Sequence, residues 1–409
     1  MKLHLSRPSK NLLKSHIQIT GSKSESNRSL LLQALYPNIS IKNLSNSDDA
    51  EVMQKGLAIS SGEVNIHHAG TAMRFLTGYF ASQEGKNVLL TGSQRMTERP
   101  VKVLVEALRN LGADIEYVSR EGYPPIQIKG KKLQKSQVSL PADISSQYIS
   151  SLLLIAPSLE NGLELDLVGK ITSVPYIKMT LGLLNQIGIE TLFEGNSIKV
   201  SPKENVGAIE LVVESDWSSA SYFYSLVALS EVGSEIKLSA YKKNSLQGDS
   251  ILAGIYKEFG VETMFLKNEI VLKKVKHCQS TAIECDLANA PDIAQTIAVT
   301  CLGLGLGCEL TGLHTLKIKE TDRLEAMYNE LTKFGSMVTI TDKTISMEPI
   351  SHVKPEVVID TYDDHRMAMA FGPLALKTSL TINDAEVVSK SYPDFWKDLN
   401  TLGFRLQKL

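Results

Sequence analysis

The 409 residues carry 43 Lys and Arg against 45 Asp and Glu, a net charge of −2, with 43% hydrophobic and 22% charged residues. That is an ordinary globular balance in a chain too long for one core, so two domains are expected. It gives no electrostatic reason to expect nucleic acid or a membrane surface as partner. Cys278, Cys285, Cys301 and Cys308 show no Cys-x-x-Cys spacing, which argues against a zinc site or a disulfide framework and for reduced thiols. The start MKLHLSRPSKNLLKSH has no apolar signal core and no stretch reaches the length of a membrane span, so cytoplasmic residence is the default expectation.

Along the chain, six polar segments run straight into apolar, helix-like runs. They begin at Asn27, Thr71, Ser145, Ser218, Asp292 and Asp364; the last four intervals are 72 to 74 residues and the first is 44. A second series keeps a similar beat, with a helix-like stretch ending at Gly112, Gly188, Gly260, Gly335 or Gly403 and a strand-like stretch after it. Two series at one period imply tandem structural units. In the first unit, the stretch from Asp49 to Ser61 supplies a helix, but little remains before Gly70 for a strand pair, so this unit is short by roughly thirty residues on the repeat period. In a regular unit, Leu163 to Val168 reads as a strand, Tyr176 to Ile187 as a helix, and IETLF and SIKV as two more strands. The alternations Ile126-Gln127-Ile128 and Ile198-Lys199-Val200 suit half-buried strands. Three units per domain divide the chain near Val213 to Asp216 and imply an α/β fold with helices beneath sheets. The polar starts are helix N-termini, whose orphan N–H groups favour anions.

Charged residues cluster at these starts. Gly21 to Arg28 (GSKSESNR) sets a lysine, hydroxyls and an arginine around the first helix start, without the spacing of a P-loop. Arg95 to Pro100 (RMTERP) is a second basic segment. In Lys317 to Arg323 (KIKETDR), a helix puts Lys319 and Arg323 four apart on one face beside Glu320 and Asp322; a plain salt-bridged face is the bland alternative. Asp363-Asp364-His365-Arg366 opens the sixth polar helix, with His365 as a capping residue, and Lys390 precedes Ser391-Tyr392-Pro393-Asp394. His67 and His68 lack metal-ligand spacing. Seven cations, Lys23, Arg28, Arg99, Lys319, Arg323, Arg366 and Lys390, exceed what one phosphate needs and imply ligands with several phosphates and carboxylates. Asp292 and Glu320 among them suit general acid and base work.

At these residues the chain resembles the EPSP synthase (3-phosphoshikimate 1-carboxyvinyltransferase) family. The matching segments are GSKSESNR, AGTAMR, RMTERP, SSQY, SVPYI, SDWSSASYF, PDIAQT, KIKETDRL, DDHRMAM and SKSYPDF, in the family's order from Gly21 to Phe395. The resemblance implies transfer of the enolpyruvyl group of phosphoenolpyruvate to the 5-hydroxyl of shikimate 3-phosphate, with phosphate released, in the route to chorismate and aromatic amino acids. It implies a two-domain inside-out α/β barrel of six βαβαββ-type repeats, three per domain, with the first repeat truncated here. The domains would be residues 20–214 and residues 1–19 plus 215–409. No metal or organic cofactor is implied, and a monomer acting on small molecules is expected. By the family's pattern, Lys23, Ser24, Arg28, Ser145, Ser146, Gln147, Ser173, Tyr176, Asp292 and Lys319 would hold shikimate 3-phosphate. Lys23, Gly70, Arg99, Gln147, Arg323, Arg366 and Lys390 would hold phosphoenolpyruvate. Asp292 would accept the 5-hydroxyl proton, Glu320 would handle the proton at the methylene carbon, and Lys23 would help protonate the leaving phosphate. His68, Phe75 and Thr315 depart from the family's usual Asn, Pro and Asn. Changes at His68 and Phe75 are expected to retune the phosphoenolpyruvate side alone.

The nearest alternative is the related UDP-N-acetylglucosamine enolpyruvyl transferase family, which usually carries a reactive Cys in the first-repeated domain, whereas the first Cys here is Cys278. A non-catalytic repeat scaffold or a catalytically dead relative is the other alternative. Phosphate release with the two named substrates separates all three.

Overall fold

The computed structural model describes residues 1–9, 12–143 and 145–409. The apolar runs that follow the polar segments become interior helices. Helix Gly70–Ser82 buries every residue from Gly70 to Ala81, and Trp217–Leu229 and Ala294–Leu304 are buried almost throughout. Helices apolar on every side belong inside a core, and the hydroxyls they carry need partners there. Thus Ser151 Oγ donates to the Arg74 carbonyl at 2.7 Å, and Thr300 Oγ1 donates to Ser225 Oγ at 2.8 Å.

The chain forms two compact units, Gly21–Val213, and Met1–Thr20 with Glu214–Leu409. In the unit Gly21–Val213, one sheet runs Ser61–Asn65, Asn87–Thr91, Ile126–Lys129, Asp114–Tyr117, with its first pair parallel and the rest antiparallel. A second runs Gln137–Pro141, Leu163–Val168, Ser197–Val200, Thr191–Glu194 in the same pattern. Its third sheet holds only the parallel pair Ile39–Lys42 and Ile209–Val212. Strand Ser61–Asn65, which follows helix Asp48–Leu57 directly, joins the next sheet, and this is where the short first segment leaves no strand pair.

In the other unit, three four-stranded sheets repeat the parallel-then-antiparallel order. The last of them seats Leu3–Ser6 between Leu380–Ile382 and Arg405–Lys408. The five glycines of the second series all have positive φ, from 76° to 111°, and Gly112 caps helix Lys102–Leu111 in the left-handed region. Ile198 and Val200 are buried on either side of exposed Lys199, as the alternation requires.

The architecture is α/β with mixed sheets. Among the described residues the barrel expected above is not closed: each sheet is open, and four strands are too few to close around a core, since small barrels take about eight. All four cysteines are free thiols. Among the described residues no helix is long and apolar enough to cross a membrane.

Candidate active site

In the unit Gly21–Val213, one buried arginine organises the helix starts. Arg28, on helix Lys23–Leu35, donates from Nε to Thr180 Oγ1 at 2.8 Å, from Nη1 to the Ser24 carbonyl at 2.8 Å and from Nη2 to Ser150 Oγ at 3.0 Å. Nη2 also reaches the Tyr176 carbonyl at 3.5 Å, and the guanidinium lies 5.2 Å from the centre of the Phe75 ring. These contacts tie together helices Lys23–Leu35, Gly70–Ser82, Ser146–Ile155 and Val174–Gln186. All the acceptors are neutral, and burial, partly countered by Tyr176 and Glu25, brings the Arg28 guanidinium down to about 10.

Lys23, in the first turn of the same helix, sits 3.2 Å from the Asp49 carboxylate. Ser173 precedes helix Val174–Gln186 with φ 54° and ψ 37°, a left-handed conformation that costs a β-carbon residue on the order of 1 kcal/mol and is typical of functional positions. Gln147 Nε2 donates to Thr71 Oγ1 at 3.2 Å, joining the starts of helices Ser146–Ile155 and Gly70–Ser82, while Ser145 caps the former. At Gly70, a β-carbon would lie 2.6 Å from Arg99 Nη1, so the glycine makes room for a guanidinium. That guanidinium stands at the positive end of a helix, an unfavourable place for a cation unless an anion joins it. Among the described residues no carboxylate pairs with Arg99, and its buried Nε has no hydrogen-bond partner.

The other unit builds the opposite arrangement. Arg323 is buried and carries three carboxylates: Nε donates to Asp364 Oδ2 at 2.6 Å, Nη1 to Asp292 Oδ1 at 2.7 Å and Nη2 to Glu320 Oε2 at 2.8 Å. Burial works against this charge, but Asp364, Glu320 and Asp292 outweigh it and raise the guanidinium above its ordinary value. Asp292 lies in the short turn Pro291–Ile293 before helix Ala294–Leu304. Its carboxylate also takes Lys319 Nζ at 3.4 Å and Arg366 Nη2 at 3.6 Å, while Arg366 Nη1 donates to its backbone carbonyl at 3.0 Å. Lys390 Nζ donates to the Asp363 carbonyl at 2.5 Å.

Lys319 and Arg323 do not share a helix face. The Asp322 side chain accepts from Leu324 N and Glu325 N and caps a helix that begins at Arg323, leaving Lys319 and Glu320 in the preceding loop. Burial of Arg323 also removes the reading of a solvated salt-bridged face. His365 is buried, with Nδ1 3.9 Å from Asp364 Oδ1, and the capping role belongs to Asp364, whose side chain accepts from Arg366 N. His68 Nδ1 pairs with Ser93 Oγ at 2.8 Å.

The geometry brings forward residues that were not assigned a role above. Asp364 is the third carboxylate on Arg323, and its position as N-cap just ahead of Arg366 is the sequence signal for it. Arg74 donates to the Gly70 carbonyl at 3.1 Å and to the Pro100 carbonyl at 3.0 Å, linking the Gly70 helix start to the residue after Arg99. Phe75 packs under Arg28, so a change there reaches the residues around Arg28 as well as the Gly70 side.

Fold and side chains define an α/β protein whose helix starts carry the cations Lys23, Arg28 and Arg99 in one unit and cation-bound carboxylates in the other. The model of the family EPSP synthase (3-phosphoshikimate 1-carboxyvinyltransferase) matches residues 57–399. A curated relative named 3-phosphoshikimate 1-carboxyvinyltransferase from Bacteroides fragilis is 44% identical, covering 100% of this chain and 99% of its own. One of the same name from Photobacterium damsela subsp. piscicida is 37% identical over 96% of this chain and 97% of its own. The solved structure of an EPSP synthase from Acinetobacter baumannii shares the fold with a TM-score of 0.82 at 23% identity, with both chains covered completely. The chain belongs to the EPSP synthase family.

Proposed function

We propose that this protein transfers the enolpyruvyl group of phosphoenolpyruvate to the 5-hydroxyl of shikimate 3-phosphate, giving 5-enolpyruvylshikimate 3-phosphate and phosphate. The observation that carries the reading is the Arg323 cluster: one buried guanidinium holds Asp292 and Glu320, two carboxylates of different exposure and different partners, on adjacent nitrogens. Such a pair suits a reaction that takes a proton from one atom and delivers one to its neighbour.

In the addition step, the 5-hydroxyl oxygen bonds to C2 of phosphoenolpyruvate, its proton passes to Asp292, and Glu320 delivers a proton to C3. In the elimination step, the bond from C2 to the phosphate oxygen breaks, Glu320 removes a proton from C3, and phosphate leaves with a proton from Lys23. The cations Lys23, Arg99, Arg323, Arg366 and Lys390, with Gly70 and Gln147, are assigned to phosphoenolpyruvate. Lys23, Ser24, Ser145, Ser146, Gln147, Ser173, Tyr176, Asp292 and Lys319 are assigned to shikimate 3-phosphate. Arg28 is assigned to the same ligand chiefly as the group that fixes Ser24 and Tyr176, because its neutral partners already take donors from all three of its nitrogens.

The two sets act on the same two substrates, an assignment that follows from the reaction. The repeated sheet order supports six repeats grouped in threes, divided as residues 20–214 and residues 1–19 plus 215–409, with the two-stranded sheet as the truncated first. A monomer in the cytoplasm, at work in aromatic amino acid synthesis, completes the reading. The test is phosphate release by the purified protein. Release is expected only with both substrates together, and release with UDP-N-acetylglucosamine in place of shikimate 3-phosphate overturns the assignment.

A further inference from the structure

Ser218 and Asp249 lie beside this set without a part in it. Arg366 Nη2 donates to Ser218 Oγ at 3.2 Å, and Ser218 Oγ in turn donates to Asp249 Oδ2. A hydroxyl has one hydrogen and two lone pairs. With its hydrogen committed to Asp249, Ser218 can only present lone pairs to Arg366, so the direction of the chain is fixed while Asp249 is an acceptor.

Asp249 is 4% exposed in the turn Gly248–Ile251. Its Oδ1 has no hydrogen-bond partner among the described residues, and none of them forms a salt bridge with it. A buried carboxylate without a direct cation is costly. Stability of the helix beside it does not require the arrangement, because the Asp216 side chain already caps Trp217–Leu229 by accepting from Ser219 N at 2.8 Å.

We propose that Ser218 and Asp249 are positioning residues that fix the Arg366 guanidinium through this two-step hydrogen-bond chain, and so set affinity for phosphoenolpyruvate rather than for shikimate 3-phosphate. The proposal rests on the reading of Arg366 as a phosphoenolpyruvate contact. The charged groups acting on Asp249 are the Asp292 and Asp216 carboxylates and the Arg366 guanidinium. Burial first, then Asp292, push its carboxyl up to about 6, against the pull of Arg366 and the Ser218 hydrogen bond. Near that pH a proton on Oδ2 puts two hydrogens into one contact. The contact then reverses, Oδ2 donating to Ser218 Oγ; the second Ser218 lone pair still faces Arg366, but a charged acceptor no longer aligns it.

Steady-state kinetics on the full chain test this. Ser218→Ala is expected to raise KM for phosphoenolpyruvate about tenfold, the worth of one hydrogen bond to a charged group. KM for shikimate 3-phosphate should stay near its wild-type value. Ser218→Thr, which keeps the hydroxyl, should restore the wild-type constant. Asp249→Asn, which leaves a neutral acceptor, should cost little more when added to Ser218→Ala, since both act on one chain. The ratio of phosphoenolpyruvate KM between Asp249→Asn and wild type should fall toward one as pH drops through 6. The ligand's own phosphate titrates in that range for both proteins and cancels. Equal shifts in both Michaelis constants, or none in either, overturn the proposal. A crystal structure of Ser218→Ala decides independently of turnover: a displaced Arg366 guanidinium supports the tether, and an unmoved one overturns it. If the wild-type protein releases no phosphate with both substrates, the proposed function fails, and the same crystal structure still decides the tether.

Discussion

Arg28 and Arg323 are the same residue type, buried to the same degree, and they end with opposite shifts. Arg28 donates to hydroxyls and carbonyls, and burial lowers it to about 10; Arg323 donates to three carboxylates, and they raise it despite burial. What separates them is the partners and not the depth. Among the described residues of the unit Gly21–Val213, no carboxylate forms a salt bridge with Arg28 or Arg99, whereas Lys23 sits beside Asp49. The other unit neutralises its charge internally and thereby keeps carboxylates that can carry protons. In the proposed reaction both units bind substrate, while Asp292 and Glu320, the carboxylates that handle the hydroxyl and methylene protons, belong to the unit of Arg323 alone.

The sharpest way to break this division is kinetic. Asp292→Asn and Glu320→Gln should each lower kcat about 10²–10⁴-fold, the range for a positioned acid or base. Arg99→Ala should act mainly on KM for phosphoenolpyruvate. If Arg99→Ala lowered kcat as far as Glu320→Gln with KM unchanged, the two units would not differ in role.

Stability offers the next test. Arg323→Met strands Asp292, Glu320 and Asp364 in a buried site and should cost about 3–5 kcal/mol. Arg28→Met strands neutral acceptors and should cost about 1–3 kcal/mol. Urea midpoints of the two variants measure the order, and equal losses erase the contrast.

A third test is pH-dependent. Asp249 holds its proton more tightly folded than unfolded, with a pKa of about 6 against the ordinary 3.8. Its contribution is therefore intact below pH 3.8, falls as pH rises toward 6 and is constant above that. Thermal melts of Asp249→Asn against wild type should show the variant gaining through this window, by about 3 kcal/mol. A flat or reversed difference would mean that burial does not bear on this carboxyl as described.

The smallest effect concerns Ser173. Ser173→Gly relieves the positive φ and should stabilise the fold by at most about 1 kcal/mol. Ser173→Ala keeps the strain. Both remove the hydroxyl, so both should raise KM for shikimate 3-phosphate alike; a rise confined to Ser173→Gly would mean that the strained backbone, not the hydroxyl, matters.

The sequence carried the periodic features well. Polar segments ahead of apolar runs mark helix starts at Ser145 and Asp364, though the first helix begins at Lys23, a turn before Asn27; the glycines at one spacing all take positive φ, with Gly112 as a helix cap, because capping and periodicity are local. Long-range pairing was not local and was not legible. That Arg28 spends its donors on Ser150 and Thr180 depends on how four helices pack. The Ser218–Asp249 step depends on a turn folding back on a helix. Lys319 was misplaced on a helix because Asp322, one residue before the true start, competes as a cap with the charge pattern that runs through it.

One feature of the unit Gly21–Val213 bears on how the protein is made. Its first and last residues meet: a β-carbon on Gly21 would lie 2.7 Å from Val213 Cγ1 and 1.9 Å from the Asn43 carbonyl oxygen, so the chain enters and leaves this unit at one point. A unit with adjoining ends can complete itself as soon as its own residues have emerged from the ribosome. Strand Leu3–Ser6 emerges earlier still, yet its neighbours are Leu380–Ile382 and Arg405–Lys408. A strand made before that unit is thus among the last to pair, and while translation continues, apolar Leu3 and Leu5 are without the strands that bury them.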